Sequence, residues 1–479
     1  MPLGQKAFWF FIFFIVGVFL AGVGIHFLLL VLGVVLLFLV LLFVGAFKQN
    51  AVLISLGFLV LAVALGGVHF RWYQRSHLER DTVQYGVRQR MNGIVASHPQ
   101  SSPRSQGFLL RTGEGNTLFI RTTLFEDIAY ADIVTVEGVV QPLDETTRYL
   151  VRDGAVGTIS FPALVTVTTN TQFSLQRSLF DIRERFVNVF GKTLPADSAS
   201  LASGILLGQE SAGFSRELKD AMKRSGTTHL VALSGYNISI LVVAIFSALG
   251  YILRRRSAAV VALLIIAAFV VMTGAEASVV RAAVMGSMII VAEFFSRLYD
   301  FKHSMAVAAF VMVALNPLIL FYDVGFLLSF VALCGITYLG ASLAKCASFS
   351  NRVIDSVKNL FCETASAQLA VIPILSAFFG QFSLAGLVSN VVILPLVPLL
   401  MGVSFVQGCA GMIYGPLANV LALAVAPIAG FMIFVMRFFA QAPSITAAPG
   451  WVGVAAYYTV FVLAARLLYV KTRGYEYRA

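Results

Sequence analysis

Residues 8–47 form an almost unbroken apolar run with a weak point, Gly22-Val23-Gly24-Ile25-His26, at its middle. The run is about twice the ~20 residues that cross a bilayer, so it predicts two helices and a tight hairpin rather than a removable leader. A third span, 51–68, follows the polar FKQN at 47–50. From Arg71 to about Asn170 the pattern changes: charges are dense and no segment is long and apolar enough to span. GFLLRTGEGNTLFIRT (107–122) reads as a hairpin around Gly113-Glu114-Gly115-Asn116. ADIVTVEGVVQPL (131–143) and SFPALVTVTT (160–169) alternate apolar and polar positions, as half-buried strands do. The expectation is a compact β-domain, with a small OB-like barrel as its sharp form.

Residues 171–226 turn helical and amphipathic, as in SLFDIRERFVNVF (178–190) and FSRELKDAMKRSG (214–226), where Ser215 caps and Gly226 terminates. LASGILLG (201–208) is too short to span, and these helices are expected at the outer membrane surface. Further spans follow at roughly 228–250, 257–273, 275–296, 304–321, 324–343, 364–379, 384–402, 418–440 and 451–470, while the short, Gly-rich 403–416 has the character of a re-entrant segment. The expected fold class is a polytopic α-helical membrane protein of about 12 spans with an inserted extracytoplasmic OB-like β-domain. Its divisions are 1–70 (three spans), 71–170 (β-domain), 171–226 (amphipathic helices), 227–470 (about nine spans) and 471–479 (basic tail).

Composition agrees: 59% of the 479 residues are hydrophobic and 12% charged, far from the soluble balance. The net charge of +11 suggests a polyanion partner until its distribution is read. Residues 71–170 hold ten Arg against ten Asp and Glu, and much of the excess flanks the spans. Lys6, Lys48, Arg254-Arg255-Arg256, Arg297 with Lys302, Lys345 with Arg352 and Lys358, and Lys471 with Arg473 are cytoplasmic together if both termini are inside and the β-domain is outside. A local basic cluster, Arg71, Arg75, Arg80, Arg88 and Arg90, remains at the start of the β-domain.

Enzymatic signatures are sparse. The six His form no H-x-H or H-E-x-x-H, and Cys334, Cys346, Cys362 and Cys409 form no C-x-x-C, so no metal, cofactor or disulfide framework is expected. Gly191-Lys192-Thr193 resembles the end of a P-loop, but Phe186 stands where the first glycine is required.

Polar residues within the spans carry the remaining signal. SGTTHLVALSGYNISIL (225–241) places His229, Ser234, Gly235, Tyr236, Asn237 and Ser239 in an apolar setting, with close helix packing as the alternative to a pathway. GAEASVVRAAVMGSM (274–288) carries Glu276 and Arg281, poorly spaced to pair on one helix. NPLILFYDVGFLLSF (316–330) breaks helix at Asn316-Pro317 and again at Asp323-Val324-Gly325, where Asp323 reads either as a pathway group or as a helix cap in a solvated loop. FFGQFSLAGLVSNVVILPLVPLL (378–400) is interrupted by Gly380, Gln381, Asn390, Pro395 and Pro398, and broken helices are tolerated only beside protein or a cavity.

Together with SGILLGQES (203–211) and SVVRAAVM (278–285), these segments resemble, in order and spacing, the membrane region of the ComEC family of DNA-uptake channels, and the resemblance covers essentially the whole chain. It implies passage of single-stranded DNA across the cytoplasmic membrane in natural transformation, no catalysis by the channel, and a pathway at His229, Ser234, Gly235, Asn237, Arg281, Asp323, Gly325, Ser329, Gln381 and Asn390. In the β-domain, Arg71, Arg75, Arg88 and Arg90 would guide the strand, and bases would stack on aromatics such as Tyr236 or Phe379. Implied partners are the lipid bilayer, an extracytoplasmic DNA receptor and a cytoplasmic helicase-like ATPase or single-strand-binding protein. Two departures stand out: Ser234-Gly235-Tyr236-Asn237 replaces the family's frequent Ser-Gly-Leu-His, and no metallo-β-lactamase-like His-x-His-x-Asp-His motif is found, so either a separate nuclease supplies that activity or the strand arrives already single. Two other classes remain open: a secondary transporter of a small solute using Glu293, Glu363 and Asn390 at a midplane site, and a membrane enzyme using His229 and Ser234.

Overall fold

The computed structural model describes residues 3–24, 27–77, 83–102, 105–124, 128–170, 172–208, 214–231, 235–345, 351–443, 445–446 and 450–476. Among these, eight helices are long and apolar enough to cross a membrane: Gly4–Gly22, Val52–His77, Arg255–Met272, Ala277–Phe294, Val324–Lys345, Ile354–Phe379, Gly386–Ile413 and Gly415–Phe439. Shorter apolar helices accompany them at Val31–Phe47, Ala196–Leu207, Ile240–Ile252, Phe301–Leu315 and Val452–Leu468. The protein is a multi-pass membrane protein. Its chain divides into two compact units, Met1–Phe180 with Leu241–Val324, and Asp181–Ile240 with Gly325–Ala479.

In the first unit, the N-terminal run forms helices α1 (Leu3–Gly22) and α2 (Phe27–Phe47), followed by α3 (Ala51–His77). Glycines set the closeness of the α1 and α3 contact, since a Cβ on Gly17 would lie 2.0 Å from the carbonyl oxygen of Val63 and one on Gly66 2.1 Å from that of Phe14. The β-domain follows with β1 (Arg88–Val95), β2 (Gln100–Ser102), β3 (Ser105–Thr112), β4 (Thr117–Thr122), β5 (Ile133–Val139), β6 (Ala155–Ser160) and β7 (Leu164–Thr168).

The hairpin read at Gly113 to Asn116 joins β3 and β4, with Gly115 at φ 84° and Arg111 facing Thr117. The strands run in the order β6-β4-β3-β1-β5-β7, with β2 on β3; β4 and β6 are parallel. Gln141, just past β5, bridges Thr158 of β6, so the sheet curls back toward itself. Inward positions Val95, Phe108, Leu110, Leu118, Ile120, Val134, Val136 and Ile159 make its core. Strands β1 and β6 were not legible as strands, because RQRMNGIV and AVGTIS lack clean alternation.

In the second unit, α4 (Leu175–Thr193), whose first residues belong to the first unit, is followed by α5 (Ala196–Leu207) and α6 (Arg216–Arg224). The expectation of surface helices over 171–226 fails at α5, where Leu201 to Leu207 are all buried. An all-round apolar helix has no face to give to water or headgroups and packs inside, here against later helices of the unit. Helix α7 (Gly235–Ile252) begins in the second unit and ends in the first, which also holds α8 (Arg255–Met272), α9 (Ala277–Phe294), α10 (Phe301–Leu315) and the single turn α11 (Ile319–Tyr322). Then come α12 (Val324–Cys334), a π-helical stretch Gly335–Gly340, α13 (Ala341–Lys345) and α14 (Arg352–Phe379). The last elements are β8 (Gln381–Phe382), α15 (Gly386–Ile393), α16 (Val397–Ile413), α17 (Gly415–Phe439), β9 (Ile445–Thr446) and α18 (Trp451–Glu476).

The 403–416 segment, read as re-entrant, is helical as the end of α16 as far as Ile413. Its glycines receive side chains instead of breaking the helix: a Cβ on Gly408 would meet the Phe186 ring at 2.1 Å, and one on Gly411 would meet Val189 at 2.4 Å. Helix α4 therefore leans on a membrane helix.

Where α4 begins, it is tied to the β-domain by one buried carboxylate. Asp132 accepts hydrogen bonds from Ala129 N (2.9 Å), Asn170 N (3.2 Å) and Arg177 Nη1 (2.9 Å) while 2% exposed. Asp132→Ala leaves Arg177 and two amides without this acceptor. It is expected to destabilise the protein by about 3 kcal/mol, measured as the shift in thermal unfolding in detergent beside an Asp144→Ala control on the surface.

Candidate functional site

Helix ends define the site in the second unit. Helix α6 starts on Ser215, whose hydroxyl accepts from Leu218 N (3.2 Å). It stops on Gly226 at φ 71°, with Thr227 N bonded to Met222 O (2.9 Å) and Gly226 N to Lys223 O (3.2 Å), the Schellman arrangement. That closure leaves the last carbonyls, of Arg224 and Ser225, without helical partners. Ser383 Oγ donates to the first and Ser389 Oγ (2.9 Å) to the second. Gln368 Nε2 in turn donates to Ser383 O.

The same device operates on α5. Gly208 ends that helix at φ 68°, and the Ile205 carbonyl in its last turn accepts from Asn237 Nδ2 at 3.2 Å. Asn237 is 1% exposed, so its amide is committed to the protein interior. Close backbone approach completes the arrangement: a Cβ on Gly226 would lie 2.9 Å from Gly386 Cα. Ile205 and Asn237, and the 224–226 helix end with residues 383–389, thus meet through hydroxyls, amides and bare backbone. One turn beyond Gly386, Asn390 is 6% exposed, and its Oδ1 has no hydrogen-bond partner among the described residues.

The first unit uses charge instead. Asn316 caps α10 in an extended conformation, Asp323 closes α11, and the turn between them faces the 3-10 segment Arg148–Asp153 of the β-domain. Arg152 Nη1 lies 3.0 Å from Asp323 Oδ2, and Asn316 Nδ2 donates to Arg152 O at 2.7 Å. The Arg148 guanidinium sits 5.8 Å above the Tyr322 ring. Burial pushes the Asp153 carboxyl above the ordinary carboxylate range, Arg152 opposes this, and the nearby Asp323 adds to it.

The remaining predicted residues lie apart. Arg281 is buried on α9 in the first unit, and His229 is exposed on the 3-10 turn Thr228–Leu230. Gly325 is exposed and Ser329 half-buried on α12. Gln381 pairs with Thr446 through β8 and β9, while Ser234 lies outside the described residues, as does the Tyr236 side chain. Phe379 is exposed. Arg71 and Arg75 sit in the last turns of α3. Arg88 and Arg90 share the outer face of β1, where Arg88 pairs with Glu137 at 3.0 Å and Arg90 stands opposite Glu137 in register. Glu293 and Glu363, expected as buried carboxylates, are exposed, and Glu293 meets Arg255 at 3.6 Å.

Sequence reasoning missed Ser225, Gln368, Ser383 and Ser389 in the second unit and Arg152 in the first. Serines beside glycines are common packing residues, and only the positions of the helix ends show which carbonyls they serve.

The profile of the Competence protein family matches residues 205–473, more than half of the chain. The chain belongs to that family. The matched region opens at Ile205, the residue whose carbonyl Asn237 caps, and includes α6, the Gly226 stop and the 378–390 segment. Over 218 residues the chain is 26% identical to ComE operon protein 3 of Bacillus subtilis (strain 168), which covers 45% of this chain and 27% of that relative. The matched stretch is thus well under two thirds of that protein's length. No solved structure matches the chain.

Gly226→Ala puts a Cβ into a left-handed backbone position and against Gly386, and is expected to cost about 2 kcal/mol. Ser389→Ala removes one hydrogen bond to Ser225 O, at about 1 kcal/mol. Thermal unfolding in detergent should rank Gly226→Ala above Ser389→Ala, and both above Gly113→Ala, where the added Cβ meets nothing within 4 Å.

Proposed function

We propose that this protein conducts single-stranded DNA across the cytoplasmic membrane during natural transformation, with the β-domain outside receiving the strand and both termini inside. The observation that carries this reading is the meeting of Ile205 with Asn237, and of the 224–226 helix end with residues 383–389, all in the family-matched region, through neutral hydroxyl and amide groups. A flexible polyanion requires a wet path without strong fixed traps, and Asn390 Oδ1 supplies a buried acceptor for water or a base edge. Arg281, buried on α9, supplies positive potential for phosphates in the other unit. Asn390 and Arg281 are the leading path candidates, each within its own unit, and His229, Ser234, Gly235, Asn237, Gly325, Ser329 and Gln381 complete the set that the family resemblance implies.

The β-domain's strand path, antiparallel pairs around β1 with β4 parallel to β6 and the return contact at Gln141, favours the five-stranded, partly open Greek-key barrel of OB proteins. Such barrels track strands with basic and aromatic side chains, and Arg88 and Arg90 give β1 a basic outer face. No motor is proposed within this chain. A cytoplasmic helicase-like ATPase or strand-binding protein pulls, an outside receptor delivers, and a separate nuclease supplies the single strand.

Liposomes holding the purified protein and a trapped single-strand-binding protein test the reading. Labelled single-stranded DNA is expected to become nuclease-protected with the wild type, and about tenfold less with Asn237→Ala, Asn390→Ala or Arg281→Ala, the equivalent of one lost polar contact each. No protected strand with folded, correctly oriented protein and a supplied motor would overturn it, and solute flux through the same liposomes would then favour a transporter.

Strand capture by the β-domain has its own signature. Arg90→Ala is expected to lower the slope of log affinity against log salt by about one phosphate contact, and Arg88→Ala by less, because Glu137 already neutralises Arg88. Salt titrations of fluorescent oligonucleotide binding read both slopes.

A further inference from the structure

The 316–323 turn interrupts the apolar helices of the first unit, and the groups that stabilise the interruption also hold the β-domain. Asn316 shows this within one side chain: its Oδ1 accepts from Leu318 N (3.1 Å), securing the break, while its Nδ2 donates to the Arg152 carbonyl. Asp323 closes the turn and takes the Arg152 guanidinium with only 7% of its side chain exposed. Arg152 also faces Asp153 at 3.5 Å, and Arg148 covers Tyr322, so the whole 3-10 segment is engaged. The Arg152 partners in the turn lie 164 and 171 residues away along the chain.

A buried ion pair is a poor way to gain stability, because apolar side chains of similar volume do as well or better. What it supplies is orientation. A guanidinium fork accepts a carboxylate in few geometries, and a displaced fork leaves a buried charge unpaired.

We propose that residues 316–323 are the seat of the β-domain and that Arg152 and Asp323 are a positioning pair, which holds the domain at the angle that hands the strand to the membrane helices. This rests on the uptake reading for its purpose, and on the ion pair and the Asn316 contact for its existence. It takes Asp323 off the path wall and makes it the lock of the seat.

The test uses full-length protein with Arg152→Glu, Asp323→Arg, the exchanged pair R152E/D323R and the milder Asp323→Asn. Hydrogen exchange over 148–153 and 316–323 reads the seat without DNA. Oligonucleotide capture reads the β-domain, and nuclease-protected uptake reads the hand-over. Each charge reversal is expected to speed exchange in both segments and to cut uptake about tenfold, the scale of a contacting pair, with capture kept within about twofold. The exchanged pair should restore exchange and uptake to within about threefold of the wild type. Asp323→Asn, which keeps shape and loses charge, should lie between, and it decides the matter if the reversals do not fold.

The proposal is overturned if the exchanged pair is no better than the worse single variant. It is equally overturned if Asp323→Asn lowers uptake while exchange stays unchanged, since Asp323 would then act on the strand itself. If exchange follows the expected pattern and the wild type takes up no strand, the seat stands and the uptake reading fails.

Discussion

A backbone carbonyl or amide that ends a helix away from water must find a partner within the protein, since hydrocarbon offers none. This chain ends helices in apolar surroundings repeatedly: α5 at Gly208, α6 at Gly226, α10 at Asn316 and α11 at Asp323. Each break creates a fixed demand for donors, and the side chains that meet it come from distant segments: Asn237 for Ile205, Ser383 for Arg224 and Ser389 for Ser225. The polar residues of the family region are therefore structural before they are anything else. They determine which breaks the fold can carry.

The two units answer this demand with different chemistry. In the second, the capping groups are neutral, and small residues let backbones meet, as Gly226 and Gly386 do. In the first, the break at 316–323 is held by its own Asn316 amide and by an ion pair with the β-domain. Neutral groups suit surroundings where a fixed charge would be costly to bury. A charged pair suits a junction that must keep one orientation.

Much of this was legible along the chain. The apolar helices, the β3 and β4 hairpin, the Ser215 cap and the Gly226 stop all follow from local periodicity and backbone preference, which neighbouring residues decide. The Competence family resemblance rested on ordered short motifs, and the family match now covers the region that holds them. Residues such as Ser383, Ser389 and Arg152 were illegible because their roles depend on which distant carbonyl or carboxylate lies opposite.

By itself the sequence determined a polytopic membrane protein with an inserted β-domain, because hydropathy and strand alternation are properties of short windows. Only the tertiary structure decided that α5 is a core helix, that the glycines of α16 receive Phe186 and Val189, and that Asp323 holds Arg152. It also showed that Asn237 serves a carbonyl 32 residues upstream. Those outcomes depend on contacts between segments remote in the chain, and hydrogen bonding and close packing act across space regardless of sequence distance.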